Sequence, residues 1–251
     1  MKNKLYLLIR SFFIQVTWNY KWMLNQGFVF SILPAIKTIY RDKEKLINNL
    51  LKHLEFFNTH PFLSPYIIGS VVRIEEDKSS NNINDFKIKL GNFLASFGDR
   101  LFWKYLKPFS VLTGLAIILM FRAFFPYNIL IGLLLFLVLF NVPVFIIRYK
   151  GLTNGYKYGK NITQHIPVYI INKLNKNLAI AGLIILGIIF IVEIKVFMDY
   201  NLKKISIFGF SALISFFLNY RKTLINFSLI IPLLLTIIIV FLINTFFNLK
   251  I

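Results

Sequence analysis

Uninterrupted apolar stretches dominate the second half of the chain. Beyond residue 107, the stretches without a charged residue are 108–121, 123–147, 177–192, 205–220 and 223–249. An α-helix rises about 1.5 Å per residue, so it needs about 20 residues to cross a hydrocarbon core of about 30 Å. The second and fifth stretches are long enough, whereas the shorter ones need snorkelling lysines or shelter inside a complex. The pattern predicts an all-α, polytopic integral membrane protein with about three to five spanning helices.

The N-terminal part of the chain is amphipathic rather than uniformly apolar. Its pattern predicts helices over Leu5–Gln26 and Phe28–Tyr40, separated at Gly27. Polar residues such as Arg10 and Lys21 interrupt the apolar faces, which favours helices at the membrane surface or against a partner subunit. Ordinary packed helices of a cytoplasmic domain are the alternative interpretation.

Two helix breaks are predicted in this polar part. The helix predicted over Leu46–Leu54 ends where turn formers precede a proline. A second break is predicted over Gly91–Asp99, and the apolar run Phe62–Ile74 between the breaks is too short to span a bilayer. Broken helices beside a short apolar segment are typical of transporter binding loops. We therefore divide the chain into an amphipathic and re-entrant region, residues 1–107, and a transmembrane region, residues 108–251.

Basic residues determine the predicted orientation. Residues 148–176 contain six Lys and Arg residues and no Asp or Glu. The positive-inside rule places this loop in the cytoplasm, together with the N-terminus. The connection Phe124–Asn128 is then expected outside. Asn141 and Pro143 mark a kink or exit within the second apolar run, 123–147.

The composition excludes several classes of function. Apolar residues make up 57% of the chain, too much for a soluble domain, and the net charge of +19 comes from cations flanking apolar runs, where they face lipid rather than nucleic acid. The chain has no cysteine and three histidines, which disfavours a metal site. The adjacent carboxylates of Glu75, Glu76 and Asp77 point in different directions around a helix, so we interpret them as a solvated helix end. Since nucleotide-binding and nucleophile motifs are absent from the sequence, we expect neither a cofactor nor catalysis by this chain.

Neutral hydrogen-bonding side chains are concentrated at the two predicted breaks. They are Asn58, Thr59, His60, Asn92 and Ser96, with Asp99 directly after. A mixture of donors and acceptors suits a polyhydroxylated ligand such as a sugar. The alternative is that Asn58 and Thr59 cap helix ends and that His60 is a packed core histidine.

Five blocks of residues, in order between about residues 10 and 160, carry a family resemblance. They are Trp18-Asn19-Tyr20 with Met23; Gly27 to Ile36; His53 to Pro61; Gly98 to Trp103 with Pro108; and Phe140-Asn141 with Arg148 to Leu152, Gly155, Tyr156 and Gly159. Together they resemble the IID membrane subunit of the mannose/fructose/sorbose family of the bacterial phosphotransferase system (PTS).

The resemblance implies a transport function shared among several subunits. A IID subunit pairs with a IIC membrane partner in the bilayer as an oligomer of IIC–IID units, while soluble IIA and IIB phosphocarriers phosphorylate a mannose-type hexose. It implies a multi-pass protein of the bacterial inner (cytoplasmic) membrane with a cytoplasmic N-terminus, no cofactor and no catalytic residue. Asn58, Thr59, His60 and Asp99 then become candidate substrate-binding residues.

The segment from residue 92 to residue 99 departs from the family pattern, G-P-L-A-G-x-G-D. The chain keeps Gly98 and Asp99 but has Asn92, Phe93 and Ser96 in place of glycine, proline and glycine. Because glycine permits tight turns, we expect a bulkier loop at Asn92, Ser96 and Gly98 that affects the site, and strain at Ser96 if its position needs a positive φ. The alternative function is a diverged homologue with a regulatory or assembly role that does not transport sugar.

Overall fold

The computed structural model describes residues 4–78, 82–124 and 126–198, with side chains described through residue 193. The helices are α1 (Lys4–Ser11), α2 (Asn25–Ile39), α3 (Lys43–His53), α4 (Ser64–Glu76), α5 (Ile83–Gly98), α6 (Lys107–Met120), α7 (Asn128–Tyr158) and α8 (Val168–Met198). A π-helical segment, Asp99–Leu106, joins α5 to α6, and a 3-10 segment, Gly159–His165, follows α7. The described residues form no β-strand, which confirms the all-α prediction.

Three helical stretches in the described residues are long and apolar enough to cross a membrane. They are Ile83–Met120, Asn128–His165 and Val168–Glu193. The first contains 38 residues, about 57 Å at 1.5 Å per residue, and therefore extends well beyond a hydrocarbon core of about 30 Å. The predicted stretches 205–220 and 223–249 lie outside the described residues.

The chain divides into two compact units, Met1–Leu186 and Gly187–Ile251. Of the second, the structure describes only the last part of α8. The first unit is built around α4, a helix of 13 residues that is buried on almost every side. Helix α7 packs against it so closely that a Cβ at Gly155 would meet the Tyr66 carbonyl, and the Ser70 hydroxyl donates to the Gly155 carbonyl at 3.2 Å. The short apolar run is thus sheltered by protein, as the sequence predicts for a helix that cannot span.

The N-terminal helices differ from the prediction. Helix α1 ends at Ser11, and turns replace the helix predicted up to Gln26. Gly27 does not separate two helices, because it lies inside α2, where its missing side chain lets the backbone approach the Ile14 carbonyl. This close approach requires the chain to turn back after α1, so tertiary packing overrides the helical periodicity of residues 12–24.

Arg10 compensates for a proline within α2. Pro34 has no N–H to donate to the Phe30 carbonyl, which would otherwise lose its helical hydrogen bond. The Arg10 Nε donates to that carbonyl at 2.7 Å, and the guanidinium lies 3.6 Å from the centre of the Phe30 ring. The charge that interrupts the apolar face of α1 therefore joins α1 to α2.

The predicted break over Gly91–Asp99 is wrong. The chain is helical throughout this segment, because Leu90, Leu94, Phe97 and Leu101 are all buried at helical spacing. The irregularity takes the form of the π segment that starts at Asp99. Such segments are rare and are frequent at functional sites.

Helix α7 is longer than the apolar run that predicts it. It continues through Asn141 and Pro143, which contradicts an exit there, whereas a kink at Pro143 stays a prediction. The helix also includes the first residues of the predicted loop 148–176. The rest of that loop comprises the 3-10 segment and the first turns of α8. The cytoplasmic location of these basic residues stays a prediction.

Candidate functional site

The connection between α3 and α4, residues 54–63, is the first predicted break, and the structure confirms it. Its backbone is anchored on the turn before α2: Leu24 N donates to Phe57 O at 2.8 Å, and Phe57 N donates to Trp22 O at 3.4 Å. The buried Phe57 ring packs on Phe28, with ring centres 4.5 Å apart. The break is therefore a fixed segment rather than a free loop.

His60 is the centre of an aromatic stack that joins this segment to the π segment. Its ring is 2% exposed, stacks on Phe102 with centres 4.9 Å apart, and lies 5.7 Å from Trp103. Phe62 completes the group at 5.1 Å. Gly98 makes this arrangement possible, because a Cβ there would contact the Cγ and Cβ of His60.

Two features of its surroundings determine the charge and tautomer of His60. Burial, and to a smaller extent the nearby positive charge of Arg148, together lower the pKa of His60 to about 4, so the ring is neutral at physiological pH. The Phe62 N–H donates to His60 Nδ1 at 3.3 Å. The single ring proton therefore lies on Nε2, a buried atom without a hydrogen-bond partner among the described residues. His60 is therefore a packed histidine, as the alternative interpretation of the sequence expects, and its one neutral N–H donor is buried beside aromatic rings.

Asn58 and Thr59 lie in the same segment but differ in exposure. Asn58 is exposed, and its carbonyl lies where a Cβ of Gly91 would be. Thr59 is buried, and its hydroxyl has no hydrogen-bond partner among the residues described. Neither residue is the N-cap of a helix, since α3 begins after Asp42 and α4 after Leu63. The structure thus gives no support to helix capping by these two side chains.

The predicted polar residues on α5 and at the start of the π segment are exposed rather than packed against His60. Asn92, Ser96 and Asp99 are exposed at helical spacing, and the half-exposed Trp103 continues the same face one turn further. Ser96 has ordinary helical φ, since the positive φ values in the described residues occur at Met23, Lys78 and Gly159. The structure therefore brings together Thr59, His60 and Gly98, but leaves Asn92 and Ser96 outside this group.

Arg148 is a residue of this region that sequence reasoning did not select. It is 2% exposed, and its guanidinium donates to Pro61 O at 2.8 Å and to Ser11 O at 2.9 Å. In the described part of the chain it forms no salt bridge. In the sequence, Arg148 is marked only by its position: it is the charged residue that follows the apolar run 123–147, and it belongs to the fifth block of the family resemblance.

Comparison with known proteins identifies the family. A family model for the PTS system mannose/fructose/sorbose family IID component matches residues 2–250. The chain belongs to this family. The IID chain is 32% identical over 188 residues to the mannose-specific EIID component of Escherichia coli K12. That alignment covers 72% of this chain and 64% of the relative. It is 33% identical over 187 residues to the fructose permease IID component of Bacillus subtilis 168, in an alignment that covers 72% of this chain and 66% of that relative.

The fold of this IID chain also matches a solved transporter. A cryo-electron microscopy structure of the mannose transporter ManYZ in complex with microcin E492 superposes with a TM-score of 0.57 and 31% identity. The match covers 74% of this chain and 68% of the other. This likeness and the family confirm a membrane-spanning PTS IID component. The chain spans 64%, less than two thirds, of the length of the E. coli relative.

A second buried polar group of the IID chain corrects the prediction of a solvated helix end for Glu75, whereas Glu76 and Asp77 are exposed as predicted. Glu75 is buried, accepting a hydrogen bond from the Tyr40 hydroxyl at 2.6 Å and facing His53 Nε2 at 3.2 Å. Burial alone would raise the pKa of Glu75, but the hydrogen bonds from His53 and Tyr40 outweigh it and lower that pKa. Lys87 is also buried and donates to the His53 carbonyl at 3.2 Å. The cluster joins α3, α4 and α5 at the start of the His53–Pro61 block.

Proposed function

We propose that this IID chain forms, with a IIC partner, the membrane pathway for a mannose-type hexose whose transport is coupled to phosphorylation by IIA and IIB subunits. The mannose and fructose specificities of its relatives support this class of substrate. In this proposal the chain itself is not a catalyst, needs no cofactor, and lies in the bacterial inner membrane with its N-terminus in the cytoplasm. The IIC–IID units assemble as oligomers.

The N-terminal surface supports a protein or lipid neighbour. Large apolar side chains there are strongly exposed, among them Leu5 at 70%, Val16 at 73% and Tyr20 at 86%. An apolar surface of this extent is typical of an interaction site, since water would solvate it poorly. We assign it to contact with the IIC partner and the bilayer.

The observation that carries the proposal is the neutral donor of His60 within the aromatic stack. Ligand sites combine apolar and aromatic walls with a few placed polar groups, and a neutral N–H suits a hydroxyl better than a charged group does. We propose His60, Thr59 and Asn58 as sugar-contacting or site-shaping residues. Asp99, exposed on the adjoining helix face, is the fourth candidate.

A diverged homologue without transport is the competing function. It is motivated by the substitutions at Asn92, Phe93 and Ser96, which the sequence predicts to alter the site. Asn92 and Ser96 are exposed on α5, whereas Gly98 remains beside His60. Because the substituted side chains do not enter the His60 stack, they favour a retained site in which only the outer face has changed.

Sugar uptake by the complete set of subunits tests the proposal. Asn58→Ala and His60→Ala chains are co-expressed with their own IIC, IIA and IIB subunits, and Asn161→Ala, an exposed position outside the site, serves as the control. Losing one hydrogen bond to a buried neutral group costs about 1 to 3 kcal/mol, so the apparent KM should rise about 5- to 150-fold. An unchanged KM in both variants, with normal assembly, would remove these residues from the site.

A further inference from the structure

A buried arginine without a carboxylate requires a physical explanation. The Arg148 guanidinium lies 4.1 Å from the Phe12 ring and 5.7 Å from the Phe62 ring, and the acceptors of its hydrogen bonds are neutral carbonyls. Removing a charge from water is costly, and neutral carbonyls and rings compensate for it less well than a carboxylate does. An apolar side chain would fill the same space with less penalty, so stability alone does not explain an arginine here.

The two carbonyls belong to distant segments. Ser11 and Pro61 are 137 and 87 residues before Arg148 in the sequence. The planar guanidinium holds its donors in a rigid fork, so it fixes the positions of both carbonyls relative to α7. A lysine would keep the charge but lose this fixed geometry.

One peptide group connects Arg148 to His60. The carbonyl of the Pro61–Phe62 peptide accepts from Arg148 Nη1 at 2.8 Å, and the N–H of the same peptide donates to His60 Nδ1 at 3.3 Å. The Ser64 hydroxyl donates to that carbonyl too, at 2.8 Å. Hydrogen bonds in series polarise one another, and a charged donor strengthens the series most.

We propose that Arg148 is a positioning residue: through the Pro61–Phe62 peptide group it holds the His60 ring with Nδ1 as acceptor and Nε2–H as the donor offered to sugar. The inference rests on the proposed function, because it assigns a cause to the orientation of a sugar-contacting residue. The positive charge of Arg148 also favours Nδ1 as an acceptor, because it disfavours a second proton on the His60 ring.

A double-mutant cycle separates this role from a general structural one. A glutamine at position 60 can offer an N–H in the place of Nε2–H without depending on a ring tautomer. Arg148→Lys should therefore raise the apparent KM about tenfold in the natural chain and less than twofold in the His60→Gln background. Ser64→Ala, which removes only the neutral donor to the same carbonyl, is the matched control and should change KM less than Arg148→Lys does.

The outcomes are distinguishable. Equal increases in KM in both backgrounds, or an unchanged KM in a complex that assembles in smaller amounts, would overturn the role of Arg148 while leaving the proposed function standing. A His60→Ala chain with unchanged KM would instead remove the sugar contact itself.

A spectroscopic measurement keeps the inference testable if Arg148→Lys does not assemble. The chain has three histidines, so a ¹⁵N difference spectrum between the complexes with His60 and with His60→Gln isolates one ring. The proposal requires the Nε2–H tautomer at neutral pH in the natural complex. A ring protonated on Nδ1 would contradict it.

Discussion

Substitution of Gly98 by alanine tests whether the aromatic stack depends on a missing side chain. Gly98 has helical backbone angles, φ −67° and ψ −42°, so alanine fits the backbone. A Cβ at this position would nevertheless lie 2.8 Å from His60 Cδ2, and closer still to Cγ and Cβ of that ring. The backbone favours the substitution, and the His60 ring opposes it.

The two effects have comparable magnitudes. Replacing glycine by alanine within a helix stabilises by about 1 kcal/mol, whereas forcing extra atoms into a packed core costs about 1 to 3 kcal/mol. Gly182 provides the matched control, since a Cβ there would meet only Leu112 Cδ1, at 3.8 Å. Gly98→Ala should therefore be about 1 to 3 kcal/mol less favourable than Gly182→Ala.

Thermal unfolding of the purified IIC–IID complex measures this difference, and sugar uptake measures its effect on the site. Gly98→Ala should also raise the apparent KM, because the displaced ring carries the donor. A His60→Ala background removes the contacts with Cγ and Cδ2 but keeps the contact with Cβ, so Gly98→Ala should be less destabilising there than in the natural background, yet still less favourable than Gly182→Ala. A Gly98→Ala chain as stable as the control in the natural background would refute the close packing of Gly98 on His60.

Three further outcomes follow from the structure. The pKa of His60 is about 4 in the folded chain and 6.5 ordinarily, so between pH 4 and pH 6.5 the unfolded chain binds more protons than the folded one. The free energy of unfolding should therefore fall by about 3 kcal/mol from pH 6.5 to pH 4. An equal fall in the His60→Gln complex would contradict this. Arg10→Met should destabilise the natural chain by about 1 to 3 kcal/mol but have a smaller effect with Pro34→Ala, because alanine restores the N–H donor to Phe30 O; equal effects would be contrary evidence. Phe93→Pro introduces the residue of the family pattern into the interior of α5, and it should lower the free energy of unfolding by about 3 kcal/mol. An unchanged melting temperature would contradict a continuous α5.

Local signals explain what the sequence predicts correctly. The break before Pro61 follows from turn formers and proline, whose effects on the backbone do not depend on distant residues. The apolar runs predict spanning helices because the bilayer thickness sets their length. The shelter of α4 follows from its being apolar yet too short to span.

Distant contacts explain what the sequence does not predict. Gly91 bounds the second predicted break and Gly98 belongs to the loop expected to affect the site, but both glycines permit close packing of a continuous helix on the segment around Asn58 and His60. Glu75 is paired with Tyr40, a residue 35 positions earlier. Arg148 binds carbonyls in two other segments. These partners are set by the tertiary fold, and no local pattern identifies them.

Accumulation of phosphorylated hexose in cells that express the IIC, IIA and IIB subunits, with or without this IID chain, tests the proposed function most directly. We predict uptake and phosphorylation of a mannose-type hexose only when the chain is present, with a higher apparent KM when His60→Ala replaces it. Equal accumulation without the chain, or none from a fully assembled complex across a panel of mannose-type sugars, would contradict the assignment of this chain to the transport pathway.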